Sequence, residues 1–316
     1  MQSKKIVILG TGGTIAGVAG VASSNINYTA ACLGISQLVS GITGLSDVVC
    51  EQVAQIDSKD MSFEVWTKLA NRVQHHVSQN DVQGVVITHG TDTLEESAYF
   101  LQAVLNPVKP VVFTCAMRPA NALVPDGPQN LLDAVTVARH AGAQGVVVVC
   151  AGGIHSAQDV QKEHAYQLNA FGSGDSGLVG VIEENILKIF RNWPFSHQIL
   201  GKAATENIAI LNSVRSWPKV EIVMNYAGVD GALVDALAAL GVQGLVIAGT
   251  GNGTIHQAME SALMQAQSQG VEVIRSTRCT QGRVLPREDD RFIASNGLSP
   301  AKARIEMMLR MMGLNL

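Results

Sequence analysis

Two short stretches place threonines where hydroxyl chemistry can be done. Gly84–Glu96, GVVITHGTDTLEE, runs from Val85-Val86-Ile87 through Thr88-His89-Gly90 into Thr91-Asp92-Thr93, and Leu94-Glu95-Glu96 then opens a helical pattern. Two hydroxyls and a carboxylate within three residues exceed what a turn needs. Gly10–Gly17, GTGGTIAG, follows the apolar run Ile6–Leu9 and sets Thr11 and Thr14 among glycines, which let a backbone turn sharply and approach a ligand. A hydroxyl beside exposed amides suits a nucleophile with oxyanion stabilisation close by. Each stretch has a plainer alternative. Thr91, Asp92 or Thr93 could serve only to cap the following helix. Gly10 and Gly12 also begin a dinucleotide fingerprint, although Ile15 stands where its third glycine belongs. Lys162, in the polar segment Ser156–His164, is either a solvated lysine or, if it lies near Asp92, a group able to orient or help deprotonate a hydroxyl.

The elements that must carry these residues read as an α/β chain. The β-branched run at Val85–Ile87 suits a strand buried on both faces of a parallel sheet. A polar turn between such a strand and a helix lies at the carboxyl edge of the sheet, where α/β proteins bind ligands. Val48–Ile56 reads as another strand, ending in Asp57-Ser58-Lys59-Asp60, so Ser58 falls on the same edge as Thr14 and Thr91. Phe63, Trp66, Ala70, Val73 and Val77 recur at helical spacing, with His75 and His76 near the end as surface or half-buried side chains. Pro110–Thr114 is a strand, Met117–Gln129 a proline-bearing loop, Asn130–His140 a helix and Val146–Cys150 a strand. This alternation predicts a larger N-terminal domain, residues 1–190, built on a doubly wound, mostly parallel sheet. Trp193-Pro194 and Trp217-Pro218 bracket an expected linker, 191–219. A smaller flavodoxin-like α/β domain, 220–316, follows, with strands at Val220–Met224, Gly244–Ala248 and Val271–Ile274. Its helices fall at Asp230–Leu240, Ile255–Gln269 and from Ser299-Pro300 onward. The turn Gly249–Thr254 is a near phosphate loop with Thr254 in place of glycine.

Val18–Thr29 is small and polar, and Tyr28 is its only aromatic; it reads as a mobile lid or as a surface loop anchored by that ring.

Composition narrows the function. Of 316 residues, 47% are hydrophobic and 15% charged, enough apolar material for real cores and too little charge for a disordered chain. A net charge of −4 and scattered Lys and Arg exclude a nucleic-acid footprint. Five cysteines without a C-x-x-C pair, and the lack of H-E-x-x-H, G-x-S-x-G and G-x-x-x-x-G-K-[ST] patterns, point away from metal and organic cofactors. No apolar run approaches the ~18 residues of a membrane span, so no membrane partner is expected. Lys4-Lys5 before IVILG superficially suggests a leader, but the apolar run stops at Leu9 and is read as the first core strand. The expected location is cytoplasmic, or periplasmic if a leader precedes this sequence.

TGGTIAG at Thr11–Gly17 together with VITHGTDTLEESAYFL at Val86–Leu101 resembles the bacterial L-asparaginase and glutaminase-asparaginase family, in local motif closest to its periplasmic-type, type II-like branch. The likeness continues through KPVVFTCAMRP (Lys109–Pro119), DGPQNLLDAV (Asp126–Val135), AGTGNGT (Ala248–Thr254) and the C-terminal helix. The resemblance implies an L-asparagine amidohydrolase acting through a threonine nucleophile and an acyl-enzyme, with no cofactor. By position, Thr14 matches the acylated nucleophile and Tyr28 the lid tyrosine that helps activate it. Thr91, Asp92 and Lys162 match a Thr–Lys–Asp triad, Ser58 the group that holds the substrate α-carboxylate, and Asp92 also the group that holds its α-amino end. Asn252, and an acid of the Arg287–Asp290 segment best aligned as Glu288, match groups supplied by a neighbouring subunit. The family thus implies a homo-oligomer, a tetramer formed as a dimer of dimers. Two departures stand out: the Arg287–Asp290 segment is shorter than usual, and Lys59 replaces a glutamine common beside the substrate serine, which bears on glutamine as a substrate. The alternatives are a glutaminase-asparaginase, a non-catalytic nucleotide- or amino-acid-binding protein, and the amidase subunit of a tRNA-dependent amidotransferase.

Overall fold

Valine and isoleucine runs build the centre of the molecule. The structure, a computed structural model, describes residues 4–45, 47–194 and 202–316. Its chain divides into two units, Met1–Asn212 and Ser213–Leu316.

In the first unit, β1 (Lys5–Gly12) leads through a 3-10 turn at Thr14–Ala16 to a small hairpin, β2 (Val18–Ala19) and β3 (Tyr28–Thr29). Next come α1 (Ile35–Ser40), β4 (Val48–Ile56), a 3-10 turn at Ser58–Asp60, α2 (Phe63–Val77), β5 (Val82–Thr88), α3 (Leu94–Leu105), β6 (Val111–Thr114), α4 (Gly127–Arg139) and β7 (Val146–Cys150). The unit continues with β8 (Gly153–Ser156), β9 (Gln161–Lys162), β10 (Phe171–Gly172), β11 (Gly180–Glu183), β12 (Ile186–Ile189) and α5 (Lys202–Ser213). Eight strands form one sheet in the order β12-β11-β8-β7-β6-β5-β1-β4. From β4 to β7 every pairing is parallel, with Ile8 opposite Val86, Val86 opposite Val112 and Val112 opposite Val147. β8, β11 and β12 extend the sheet antiparallel.

Helices cover both faces, as the doubly wound reading requires. Ile6, Ile8, Val86, Val112, Val147 and Val149 pack with Ile35 and Val39 of α1 and Leu131, Ala134 and Val135 of α4. The alternate residues, such as Val85, Ile87 and Phe113, are buried under α2 and α3. Each such aliphatic side chain contributes about 1.5–3 kcal/mol on burial. Trp66 fixes α2 to α3: its ring stacks on Phe100, centroids 4.9 Å apart, and its indole N–H donates to Ser97 Oγ at 2.8 Å.

Several local differences from the sequence reading have simple causes. α4 begins at Gly127, three residues before the expected start, because Pro128 fits a first helical turn, where its missing N–H costs nothing. β7 turns into β8 through Ala151 and Gly152, both at positive φ, which makes a tight hairpin instead of another crossover. A helix, α5, occupies much of the expected linker; residues 195–201 of that stretch lie outside the described residues.

The second unit has β13 (Val220–Met224), α6 (Ala232–Ala239), β14 (Gly244–Gly249), α7 (Gln257–Ser268), β15 (Glu272–Thr277), β16 (Ile293–Ala294) and α8 (Pro300–Met311). Its four strands are all parallel and lie in chain order. Ser299 caps α8 by accepting from the Lys302 amide, and Pro300 fills the first turn. Among the described residues, no helix is long and apolar enough to cross a membrane.

Candidate active site

The turn after β1 is built by glycines that no other residue can replace. Gly12 and Gly13 have φ of +106° and +80°, a region that disfavours side chains. A Cβ on Gly12 would overlap the Ile56 carbonyl at the end of β4, and one on Gly13 would overlap the backbone of Gly90. The turns after β1 and β5 therefore lie backbone to backbone. Thr11 adds a strut, its hydroxyl donating to the Thr88 carbonyl at 2.9 Å. Beyond Gly13 the chain makes a single 3-10 turn that starts at Thr14. A dinucleotide loop would instead open an α-helix whose N-terminus takes the pyrophosphate, so that alternative falls away. The Gly13 amide is likewise spent on the Ile56 carbonyl, 2.9 Å away, and is not an oxyanion donor.

Thr14 is buried, and its Oγ1 lies 2.7 Å from the Tyr28 hydroxyl. Tyr28 arrives on β3, paired with β2. The Asn121 side-chain amide clamps β2 by accepting from Ala19 N and donating to Ala19 O, at 2.8 and 2.7 Å. Gly17 leaves room for the tyrosine ring, whose Cδ2 a Cβ there would meet at 2.9 Å. The Val18–Thr29 segment is thus a pinned hairpin that holds its tyrosine against the Thr14 hydroxyl.

The turn after β5 settles what its polar side chains do. Thr93 is the N-cap of α3 by backbone position but makes no side-chain cap; its hydroxyl donates to the Ser58 carbonyl at 2.7 Å. Thr91 and Asp92 instead meet Lys162: its ammonium donates to Thr91 Oγ1 at 2.9 Å and to Asp92 Oδ1 at 2.7 Å. Lys162 is largely shielded, with 20% of its side chain exposed, whereas Asp92 opens to solvent at 53%. Ser58 is buried on the neighbouring turn, and its Oγ accepts from the Asp92 amide at 3.1 Å. Gly90 is small for this reason, since a Cβ there would overlap the Ser58 side chain. His89 sits fully buried in the same turn, its Nδ1 2.7 Å from the Gly90 carbonyl. Burial pushes its pKa down to about 4, against a smaller upward pull from that carbonyl. Lys59 points to solvent and pairs with Asp57 at 2.8 Å, and this contact is the main cause of its raised pKa.

Three hydroxyl-bearing turns and one lysine thus meet over the carboxyl edge of β4, β1 and β5. Residues 5–195 match the family model "Asparaginase, N-terminal", and residues 219–312 match "Glutaminase/Asparaginase C-terminal domain". The chain belongs to the asparaginase/glutaminase family. It is 37% identical to L-asparaginase 2 of Bacillus subtilis, over 98% of this chain and 83% of that one. Against the glutaminase-asparaginase of Pseudomonas fluorescens biotype A the identity is 38%, over 96% of this chain and 85% of the relative. The crystal structure of a probable cytoplasmic L-asparaginase from Campylobacter jejuni superposes with a TM-score of 0.90 at 35% identity, covering 98% of this chain and 95% of that one.

In this member of the asparaginase family, Asn252 and Glu288 lie in the second unit. The Asn252 side chain is engaged at both ends by Leu285, donating to its carbonyl at 3.1 Å and accepting from its amide at 2.7 Å. The buried guanidinium of Arg275 holds the Asn252 carbonyl at 3.2 Å and also pairs with the Asp290 carboxylate. Glu288 and Asp289 are exposed, while Asp290 is tied down by Arg275 and by the Arg287 amide. The Gly249–Thr254 turn is no phosphate loop, because Thr250 and Thr254 bond each other through their own backbones and α7 starts only at Gln257, capped by His256. Among the described residues, no group of three or more His, Cys, Asp or Glu side chains is placed to hold a metal ion. Sequence reasoning missed the supporting contacts of Thr11 and Thr93, and that of Glu95, whose carboxylate accepts from the Lys162 amide at 2.6 Å. All three stand inside the two threonine-bearing stretches, so the density of polar residues there was the available signal.

Proposed function

We propose that the protein hydrolyses L-asparagine to L-aspartate and ammonia through a threonine acyl-enzyme, using no metal or organic cofactor. The observation that carries this reading is the pairing of two activated hydroxyls on touching turns: Thr14 against Tyr28, and Thr91 against a lysine that also holds Asp92. Thr14 Oγ1 attacks the side-chain amide carbon while its proton passes toward Tyr28. Collapse of the tetrahedral intermediate breaks the C–N bond, and the nitrogen leaves as ammonia with that proton. Lys162 and Thr91 then activate a water that cleaves the ester and restores the Thr14 hydroxyl. In this reading, backbone amides of the turn after β5 other than those of His89 and Asp92, which donate to Thr114 and Ser58, supply the oxyanion donors; one such donor is worth about 2.7–4 kcal/mol of barrier. The Ser58 oxygen already accepts from the Asp92 amide, which leaves its hydrogen to donate to the substrate α-carboxylate. The exposed Asp92 carboxylate takes the α-amino group.

Asn252 and one of the two exposed acids, Glu288 or Asp289, complete the site of a neighbouring subunit in a tetramer made as a dimer of dimers, with the C-terminal domain as the contributor. Asp290 is the poorer candidate because two internal partners hold it. The resemblance to a glutaminase-asparaginase supports secondary activity on L-glutamine. Unpaired, exposed Cys32 and Cys279 fit a reducing, cytoplasmic location. The test is ammonia release from L-asparagine, D-asparagine and L-glutamine by the purified oligomer and by Thr14→Ala. The expected order is L-asparagine first, with the variant at least about a thousandfold slower. An unchanged rate in Thr14→Ala removes the nucleophile assignment, and no release by the parent protein favours a binding protein.

A further inference from the structure

We propose that Glu95 is the positioning residue that sets Lys162 against Thr91 and Asp92; the inference rests on the amidohydrolase reading above. Lys162 lies in β9, a two-residue strand that pairs with β10, Phe171 opposite Lys162, in a ribbon separate from the eight-stranded sheet. The main sheet therefore does not fix its register relative to the turn after β5. Upstream, the Asp159 carboxylate holds the entry to β9 by accepting from Ser156 Oγ, Arg191 and Ser176 Oγ, at 2.5, 2.6 and 2.9 Å. The tie to α3 is different. Glu95, in the first turn of that helix, accepts the Lys162 main-chain N–H at 2.6 Å. The stretch from Thr91 to Glu95 thus grips Lys162 at both ends, its amide through Glu95 and its ammonium through Thr91 and Asp92.

A lysine side chain has a long flexible stem, so its charged end is defined only as well as its root. An ionised acceptor makes a shorter and stronger bond to an amide than a neutral one. A carboxylate is also favoured in the first turn of a helix, where the backbone dipole is positive. Glu95 is the residue type that holds this root best. It touches no reacting atom and acts through Lys162.

The test is a kinetic cycle on the intact oligomer with Glu95→Ala, Glu95→Gln, Lys162→Ala and the double variant, each checked for folding by thermal melting. Glu95→Ala is expected to lower kcat about tenfold to a hundredfold, the range for a displaced catalytic group, with KM within about twofold. Glu95→Gln, which keeps an acceptor oxygen, recovers most of that loss. In the Lys162→Ala background, Glu95→Ala adds nothing further, because the group it positions is gone. A full additive loss in that background, or parent kcat in Glu95→Ala, overturns the proposal. If Glu95→Ala does not fold, Glu95→Asp replaces it, its shorter reach predicting a loss that Glu95→Gln does not show. A parent protein inactive on every amide retires the amidohydrolase reading alone. Hydrogen exchange at the Lys162 amide then decides: faster exchange in the variant supports the positioning role, and unchanged exchange overturns it.

Discussion

Thr14 lies in the 3-10 turn after β1 and Tyr28 on the second strand of the hairpin that follows, which brings their oxygens to 2.7 Å. Thr91 and Lys162 are far apart in sequence and meet at 2.9 Å because a helix and a short ribbon converge. Between these pairs sits His89, whose chemistry is structural. Its ring lies edge-on to Phe113, 5.6 Å between centroids, and its Nδ1–H donates to Gly90, while Nε2 has no hydrogen-bond partner among the described residues. The folded protein refuses a proton there until about pH 4, whereas the unfolded chain takes it near 6.5. Because the unfolded state binds more protons in that window, stability falls as pH drops from 6.5 to about 4 and the dependence ends below it. The difference amounts to about 3 kcal/mol across the window. His89→Asn keeps a donor for Gly90 but has no such proton. Thermal melting from pH 7 to 4 should show a shallower decline in the variant than in the parent, and parallel declines would contradict this role.

At the scale of elements, the site exists because loops that leave adjacent parallel strands can touch. Gly13 and Gly90 are the contact, so a methyl group at either should push the threonine turns apart. Gly90→Ala is expected to destabilise by about 1–3 kcal/mol, as overpacking does, and to lower kcat as Ser58 and Thr91 shift. Gly41→Ala, at φ −90° just after α1 where a Cβ meets nothing within 4 Å, is the control and should change neither melting temperature nor rate. Equal behaviour of the two variants would remove the close-contact account. Much of this layer was legible in the sequence: β1, β5, β6 and β7 were visible as apolar runs and β4 as an alternating segment, and Ser58, Thr14 and Thr91 fell at their carboxyl ends. Whether Thr91-Asp92-Thr93 capped a helix or did chemistry was not legible, since both uses favour the same residue types; Lys162 and Ser58 decide it by taking up those side chains. The antiparallel strands β8 (GIHS), β11 (GVIE) and β12 (ILKI) are no shorter than β6 but are broken by glycine, polar or charged residues, so they leave no apolar run to read. α5 was obscured by the Trp-Pro pairs on either side, which read as punctuation.

For the whole molecule, the family assignment covers both units, and the two carry unlike parts of the proposed machinery. The first holds the hydroxyls and the lysine. The second presents Asn252 on a turn stiffened by Leu285 and Arg275, with Glu288 and Asp289 exposed; in the proposed tetramer one of these acids serves a neighbouring copy. Sequence could pair Asn252 with its role only through resemblance, because nothing in its spacing predicts the Leu285 backbone that engages its amide. The division of labour between the two threonines is the centre of the account, and it can be read directly. Lys162→Met should still allow attack but starve the water-activation step, so an aspartyl ester should accumulate when the assembled protein is mixed with L-asparagine and quenched in acid. Peptide mapping by mass spectrometry should find that aspartyl group on the peptide containing Thr14. An adduct on the peptide containing Thr91, or steady turnover with no adduct on either, would contradict the account.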